Sequence, residues 1–230
     1  MRRYLVVDDN VAFSENLAEI LRDTGAEVAT AAGGPRALEL AAGHRFDALV
    51  TDMRMPLMSG ALLVHQIRRL DPGLPAIVVS AYTGESDLAA AAHEGLLAAL
   101  PKPAPIEQLL ELLSAARRDG LVALVEDDMA LSENLAEALR GRGFSAVTAH
   151  SVLETDRLGD VRPFAALVDL RMPGGPDGES GRRLARRFPD LPTFIITAHA
   201  GSAPADDVFV KPFDTARVLM ALESAYENRK

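Results

Sequence analysis

One set of side chains recurs in the same order in each half of this 230-residue chain, and its members could together move a phosphoryl group. An acidic pair closes an apolar run, a lone Asp precedes Arg-Met-Pro, a Ser or Thr closes a later apolar run, and a Lys-Pro step follows. In the first half these are Asp8 and Asp9, Asp52, Ser80, and Lys102 before Pro103. In the second they are Glu126 and Asp127, Asp169, Thr197, and Lys211 before Pro212. Three carboxylates at one spot repel, raise one another's pKa and invite a hard divalent cation. Magnesium suits such a site, because it takes oxygen ligands, keeps several waters and shares its shell with phosphate. Phosphoryl transfer needs an in-line nucleophile and compensation of charge on three equatorial oxygens. A carboxylate can be that nucleophile and form an aspartyl phosphate. One magnesium ion, one lysine ammonium and one hydroxyl would meet the three oxygens, and each half offers these protein groups once.

The elements that must position these groups follow from periodicity. The residues SENLAE occur at 14–19 and again at 132–137, each just after the acidic cluster. A period near half the chain is too long for a solenoid and implies duplication of a whole domain, each copy of the commonest domain size. In the first copy, apolar runs predict strands at 4–7, 27–30, 48–50, 76–79 and 97–100. Helical spacing predicts helices through Phe13, Leu17, Ile20 and Leu21, from Pro35, over 62–70, over 87–94 and over 106–116. The second copy repeats the order, with strands at 121–125, 145–148, 166–168, 193–196 and 208–210, a helix through Leu131, Leu135 and Leu139, and a last helix from Thr215. Strands that read as continuous apolar runs and alternate with helices imply parallel sheets covered on both faces. The expected fold is therefore α/β: two flavodoxin-like, doubly wound (βα)5 domains of strand order 2-1-3-4-5. They would span 1–117 and 121–230, with a short linker at 118–120. In such sheets ligands sit at the carboxyl ends of the strands where strand order reverses, and the recurring residues all stand at those ends.

Composition narrows the class. A net charge of −9 argues against a nucleic-acid surface. The largest basic cluster, Arg182, Arg183, Arg186 and Arg187, has the spacing of a solvated helix face. The chain has no Cys, so neither disulfides nor thiolate metal sites are available. The apolar run at the N-terminus is too short for a signal-peptide core or a membrane span, which makes a cytoplasmic protein the expectation. The histidines lack metal-ligand spacing, and His44, His65, His93 and His150 read as surface or packing residues.

These residues resemble the receiver domain of bacterial two-component response regulators, of the chemotaxis-receiver type, over nearly the whole chain and twice. The resemblance implies that Asp8, Asp9, Asp52 and the carbonyl of Arg54 bind Mg2+ and that Asp52 takes a phosphoryl group from a kinase histidine or a phosphotransfer protein. It further implies that Ser80 contacts the phosphoryl oxygens, that Lys102 pairs with them before a commonly cis Pro103, and that Tyr82 is the switch aromatic. In the second copy the same roles fall to Glu126, Asp127, Asp169, the carbonyl of Arg171, Thr197 and Lys211, with His199 in the switch position. One Mg2+ per competent receiver is implied.

The second copy departs from the pattern between Thr197 and Lys211, where AHAGSAPADD replaces an Ala-rich helix, so the fourth helix is expected to be reduced or absent. The loop after Asp169 is also richer in glycine. No winged helix or basic recognition helix follows, which argues against direct transcription control. The expected function is a stand-alone tandem response regulator that signals by contact with a downstream protein target, or serves as intermediate or sink in a phosphorelay. It would need no membrane and no nucleic acid, and homodimerisation is allowed. It would catalyse only its own phosphorylation and dephosphorylation. The alternative is an adaptor whose second domain is a pseudo-receiver output surface. An Asp-nucleophile phosphohydrolase fits worse, since its usual D-x-D is absent: Met53-Arg54 follow Asp52, and Leu170-Arg171 follow Asp169.

Overall fold

Successive side chains of a strand point to opposite faces of a sheet, and here both faces are apolar. On β1 (Arg3–Val7), Leu5 and Val7 enter one core while Tyr4 and Val6 enter another. A strand buried on both sides needs helices on both sides, which the alternating sequence supplies. The computed structural model describes residues 1–81, 95–198 and 208–229. The chain divides into two compact units, Met1–Asp119 and Gly120–Lys230.

In the first unit β1 is followed by α1 (Val11–Asp23), β2 (Glu27–Ala31), α2 (Gly34–Gly43), β3 (Ala48–Asp52), α3 (Gly60–Leu70), β4 (Ala76–Ser80), β5 (Ala98–Pro101) and α4 (Ile106–Ala115). The strands form one parallel sheet in the order β2-β1-β3-β4-β5. Leu63, Val64 and Ile67 of α3 pack on one face of it, and Leu17, Leu21, Leu109 and Leu113 on the other.

The second unit runs β6 (Leu121–Val125), α5 (Met129–Gly141), β7 (Ser145–Ala149), α6 (Val152–Thr155), β8 (Ala165–Asp169), α7 (Glu179–Arg187), β9 (Thr193–Thr197), β10 (Val208–Val210) and α8 (Thr215–Glu227). Its sheet is also parallel, ordered β10-β9-β8-β6-β7, the same succession read from the opposite edge. Where the first unit has the ten-residue α2, opened by a proline, the second has only the single turn α6 running into a 3-10 turn at Asp156–Asp160. Gly159 and the pre-proline residue Arg162 both disfavour further helix there. The arginine-rich segment is helical as its spacing suggested, and Glu179 bonds Arg182, Arg183 and Arg186 on its exposed face.

The residues around the boundary are tied down on both sides. Arg118 donates to the Phe46 carbonyl and to the Asp71 carboxylate, and Asp119 donates its N–H to Gly73 at 2.7 Å. The Gly120 carbonyl accepts from Ser145 at 3.0 Å. The helix expected at 87–94, the switch residues Tyr82 and His199, and the expected loss of the fourth helix near 199–207 lie outside the described residues. Among the described residues no helix is long and apolar enough to cross a membrane.

Candidate functional site

The acidic pair after β1 is free of capping duty, because Asn10 takes it. The Asn10 side chain accepts the Phe13 N–H at 3.1 Å and so starts α1. Asp8 is buried; its Oδ1 accepts the Asn10 N–H at 2.9 Å, and its own N–H bonds Ala31 at 3.1 Å. Asp9 is exposed beside it. Asp52 ends β3, the neighbour of β1 in the sheet, with Thr51 in register with Val7. The carboxylates of Asp8, Asp9 and Asp52 thus come together, each offering an oxygen within 4.8 Å of the others. Lys102 leaves β5 with its N–H on the Ser80 carbonyl at 2.9 Å. Its ammonium stands 2.5 Å from Asp8 Oδ2, 3.2 Å from Asp52 Oδ1 and 4.6 Å from the centre of the Phe13 ring. Ser80 is buried at the end of β4, one residue beyond Val79, the register partner of Asp52.

Burial is the main influence on Asp52 and raises its pKa, opposed by the Lys102 ammonium and reinforced by Asp8. Burial pulls Lys102 downward, but its bonds to Asp8 and Asp52 outweigh it and hold the lysine above its ordinary value. Close packing fixes Asp52 from behind. The Gly60 N–H bonds the Met53 carbonyl at 2.8 Å, and a Cβ on Gly60 would lie 2.2 Å from the Asp52 carbonyl oxygen. Only glycine lets α3 begin so close to this backbone.

The second unit builds a counterpart. Asp128 caps α5 by accepting the Leu131 N–H at 3.1 Å, leaving Glu126 and Asp127 for other work. Oxygens of Glu126, Asp127 and Asp169 lie within 4.8 Å of one another. Lys211 Nζ is 2.6 Å from Asp169 Oδ2 and 2.8 Å from both Glu126 oxygens, but only Oε1 receives it in hydrogen-bonding geometry. Glu126 Oε2 is therefore buried with no hydrogen-bond donor, on a residue that is 0% exposed. Burial raises the Glu126 pKa against the pull of Lys211, and Lys211 is held above its ordinary value by Asp169 and Glu126 despite its own burial. Thr197 is buried at the end of β9, its carbonyl accepting the Lys211 N–H at 2.8 Å. The Lys102-Pro103 and Lys211-Pro212 bonds are both cis.

Arg54 and Arg171 sit two residues after the lone aspartates, both with exposed side chains. The Arg171 N–H donates to Asp169 Oδ1 at 2.9 Å, and its guanidinium lies 3.5 Å from Asp177. Three features escaped sequence reasoning. Gly60 gives no periodic signal, and its role shows only in the close approach to Asp52. Leu57, in the loop after Asp52, has φ 69° and is 94% exposed, where the second unit places Gly174 with φ 94°. His150, which read as a surface or packing residue, brings its ring Nδ1 to 2.8 Å from the Glu126 carbonyl; its place directly after a strand end was the available clue.

Both clusters suit a small hard cation: each offers three carboxylates, and the second contains a buried oxygen that is ion-paired with Lys211 but receives no hydrogen bond.

The family profile of the response regulator receiver domain matches residues 4–114. A response regulator receiver protein of Anaeromyxobacter sp. (strain Fw109-5) is 61% identical over 231 residues, covering 100% of this chain and 97% of its own. Response regulator MprA of Mycobacterium ulcerans (strain Agy99) is 33% identical over 168 residues, 73% of this chain and 71% of its own. Among solved structures, a CheY-like response regulator receiver domain protein from Methanospirillum hungatei JF-1 is similar at 29% identity and TM-score 0.48, over 50% of this chain and 91% of its own. The receiver domain of a sensor histidine kinase from Pseudomonas aeruginosa PAO1, solved with magnesium coordinated in its active-site cleft, is similar at 27% identity and TM-score 0.46, over 49% of this chain and 94% of its own.

Proposed function

Because the chain belongs to the response regulator receiver family, we propose that it signals by accepting a phosphoryl group on Asp52, with Asp169 as a second acceptor. The observation that carries this reading is the convergence of Asp8, Asp9 and Asp52 around the Lys102 ammonium, with the same arrangement at Glu126, Asp127, Asp169 and Lys211. The donor is a phosphohistidine of a kinase or phosphotransfer protein. An Asp52 oxygen attacks the phosphorus, the P–N bond breaks, and the imidazole leaves with the bonding pair. Asp8, Asp9, Asp52 and the Arg54 carbonyl would hold Mg2+ in the first site, and Glu126, Asp127, Asp169 and the Arg171 carbonyl in the second. Bound there, the ion supplies positive charge against the phosphoryl oxygens. Lys102 and Lys211 then release a carboxylate and pair with the phosphoryl group, while Ser80 and Thr197 donate to a further oxygen. Output is contact with a downstream protein, directly or by passing the phosphoryl group onward.

A second reading, in which the second unit carries no phosphate and serves as the output surface, draws on the family profile match at 4–114, which lies within the first unit. One experiment separates the two. The native chain, Asp52→Asn and Asp169→Asn are incubated with Mg2+ and acetyl phosphate, and the intact proteins are weighed. Two phosphoryl additions on the native chain, reduced to one in either variant, support tandem acceptance. A single addition that vanishes in Asp52→Asn supports the output-surface reading, and no addition at all overturns both.

A further inference from the structure

The Nδ1 atom of His150 lies 2.8 Å from the main-chain oxygen of Glu126. A carbonyl oxygen only accepts, so the proton of this bond is on Nδ1. The preceding residue holds Glu126 by its other main-chain group: the Glu126 N–H donates to the Ala149 carbonyl at 3.0 Å. His150 is itself fastened, its N–H donating to Glu154 Oε2 at 2.9 Å. Two consecutive residues thus grip both polar groups of the Glu126 backbone. The first site has half of this arrangement. Asp8 donates to Ala31 at 3.1 Å, but β1 and β2 pair in the same register as β6 and β7, and the residue that corresponds to His150 is Ala32. Its methyl group has nothing to donate.

The difference tracks the acid. Glutamate has one more rotatable bond than aspartate, so a given backbone fixes its carboxylate less well and ordering it costs more entropy. The carboxylate in question is the wholly buried one whose Oε2 has no hydrogen-bond donor. We propose that His150 is a positioning residue of the second site: it fixes the Glu126 main chain so that this longer acid presents Oε2, which is ion-paired with Lys211 but receives no hydrogen bond, to a divalent cation. The inference rests on the reading of Glu126, Asp127 and Asp169 as a cation site.

The test is a Mg2+ titration of the full chain followed by amide NMR, in which residues 126–128 report the second site and residues 8–10 the first. His150→Ala is expected to weaken binding at 126–128 by about tenfold, the size typical for groups that orient metal ligands, and to leave 8–10 unchanged. His150→Asn, whose side-chain amide nitrogen stands where Nδ1 does and can donate in the same direction, is expected to restore most of the loss. In a Glu126→Asp background, His150→Ala should cost about twofold or less, because the shorter acid needs less fixing. A purely structural role would cost the same in both backgrounds, and that result overturns the proposal, as does an unchanged affinity in His150→Ala. Nitrogen NMR of the metal-free protein gives an independent check, with the Nδ1–H tautomer expected and the Nε2–H tautomer contradicting it. If 8–10 respond to Mg2+ and 126–128 do not, the cation reading of the second site fails and takes this inference with it.

Discussion

The two acidic clusters solve one electrostatic problem with different backing. In the first, Asp8 keeps a 2.9 Å hydrogen bond from Asn10 in addition to its lysine, and the aspartate at the end of β3 is braced by the abrupt start of α3 at Gly60. In the second, Glu126 keeps only a 3.2 Å bond from Asp128 besides its lysine, and the corresponding helix begins after Gly178, in a left-handed conformation with φ 75° and no backbone of Asp169 close enough to exclude a side chain. Both sites are held by a lysine and by hydrogen bonds, and the first adds close packing at Gly60. The same chemistry can therefore be damaged by different changes in the two units.

Removal of the lysines gives the largest expected contrast. Lys211→Met leaves Glu126 buried with one weak donor, and stripping a partner from a buried ion pair costs about 4 kcal/mol. Lys102→Met should cost less, since Asp8 retains its better bond. Hydrogen exchange of β6 against β1 amides reads each sheet separately in the intact chain, and an equal loss in the two would erase the contrast. Gly60→Ala comes next, at about 3 kcal/mol, because the new methyl meets main-chain oxygen that cannot rotate away. It should also abolish phosphoryl uptake at Asp52, whereas Gly178→Ala should cost only about 1 kcal/mol for its left-handed backbone. Mass and exchange measurements on both variants decide this.

Acidity offers a third lever. Asp52 and Glu126 have pKa values raised by burial above the ordinary 3.8 and 4.5, so their favourable contribution is complete below those ordinary values and is lost as pH rises through the raised ones. The metal-free protein should lose this part of its stability between acid and neutral pH. Added Mg2+ should raise the melting temperature more at neutral than at acid pH, which calorimetry can follow; a shift independent of pH would count against cation binding by these carboxylates. The raised lysine values act in the alkaline range, where pairing is complete below the ordinary 10.5 and fades above it. The smallest effect concerns the loops. Leu57→Gly relieves a left-handed leucine and should stabilise the first unit by about 0.5 kcal/mol net of the added chain entropy, while Gly174→Leu should destabilise the second by about 1 kcal/mol. Denaturant exchange profiles resolve shifts of that size.

Much of this arrangement was legible in the sequence because the informative residues sit at strand ends. Apolar runs located the strands, and the first, third, fourth and fifth runs of each unit end within two residues of a candidate site residue: Asp8, Asp52, Ser80 and Lys102 in the first unit, Glu126, Asp169, Thr197 and Lys211 in the second. The sheet order agrees with the expected 2-1-3-4-5. What escaped was whatever depends on a neighbour distant in sequence. Gly60 matters through the Asp52 carbonyl, and His150 through the Glu126 carbonyl. The short α6 with its 3-10 extension carries too little periodicity to announce itself.

The double-sided burial of β1, β3 and β4 has a consequence for folding. In a sheet with one wet face, a strand that slips by one residue exposes its apolar set and is rejected. Here a slip would exchange one oily face for another, so hydrophobicity alone says little about which alignment is correct. The charged and hydroxyl residues at the strand tips remove the ambiguity, since a misaligned β3 would drag Asp52 in among leucines and valines or leave it stranded past the edge. The residues of the two acidic sites thus also mark where each of these strands must stop.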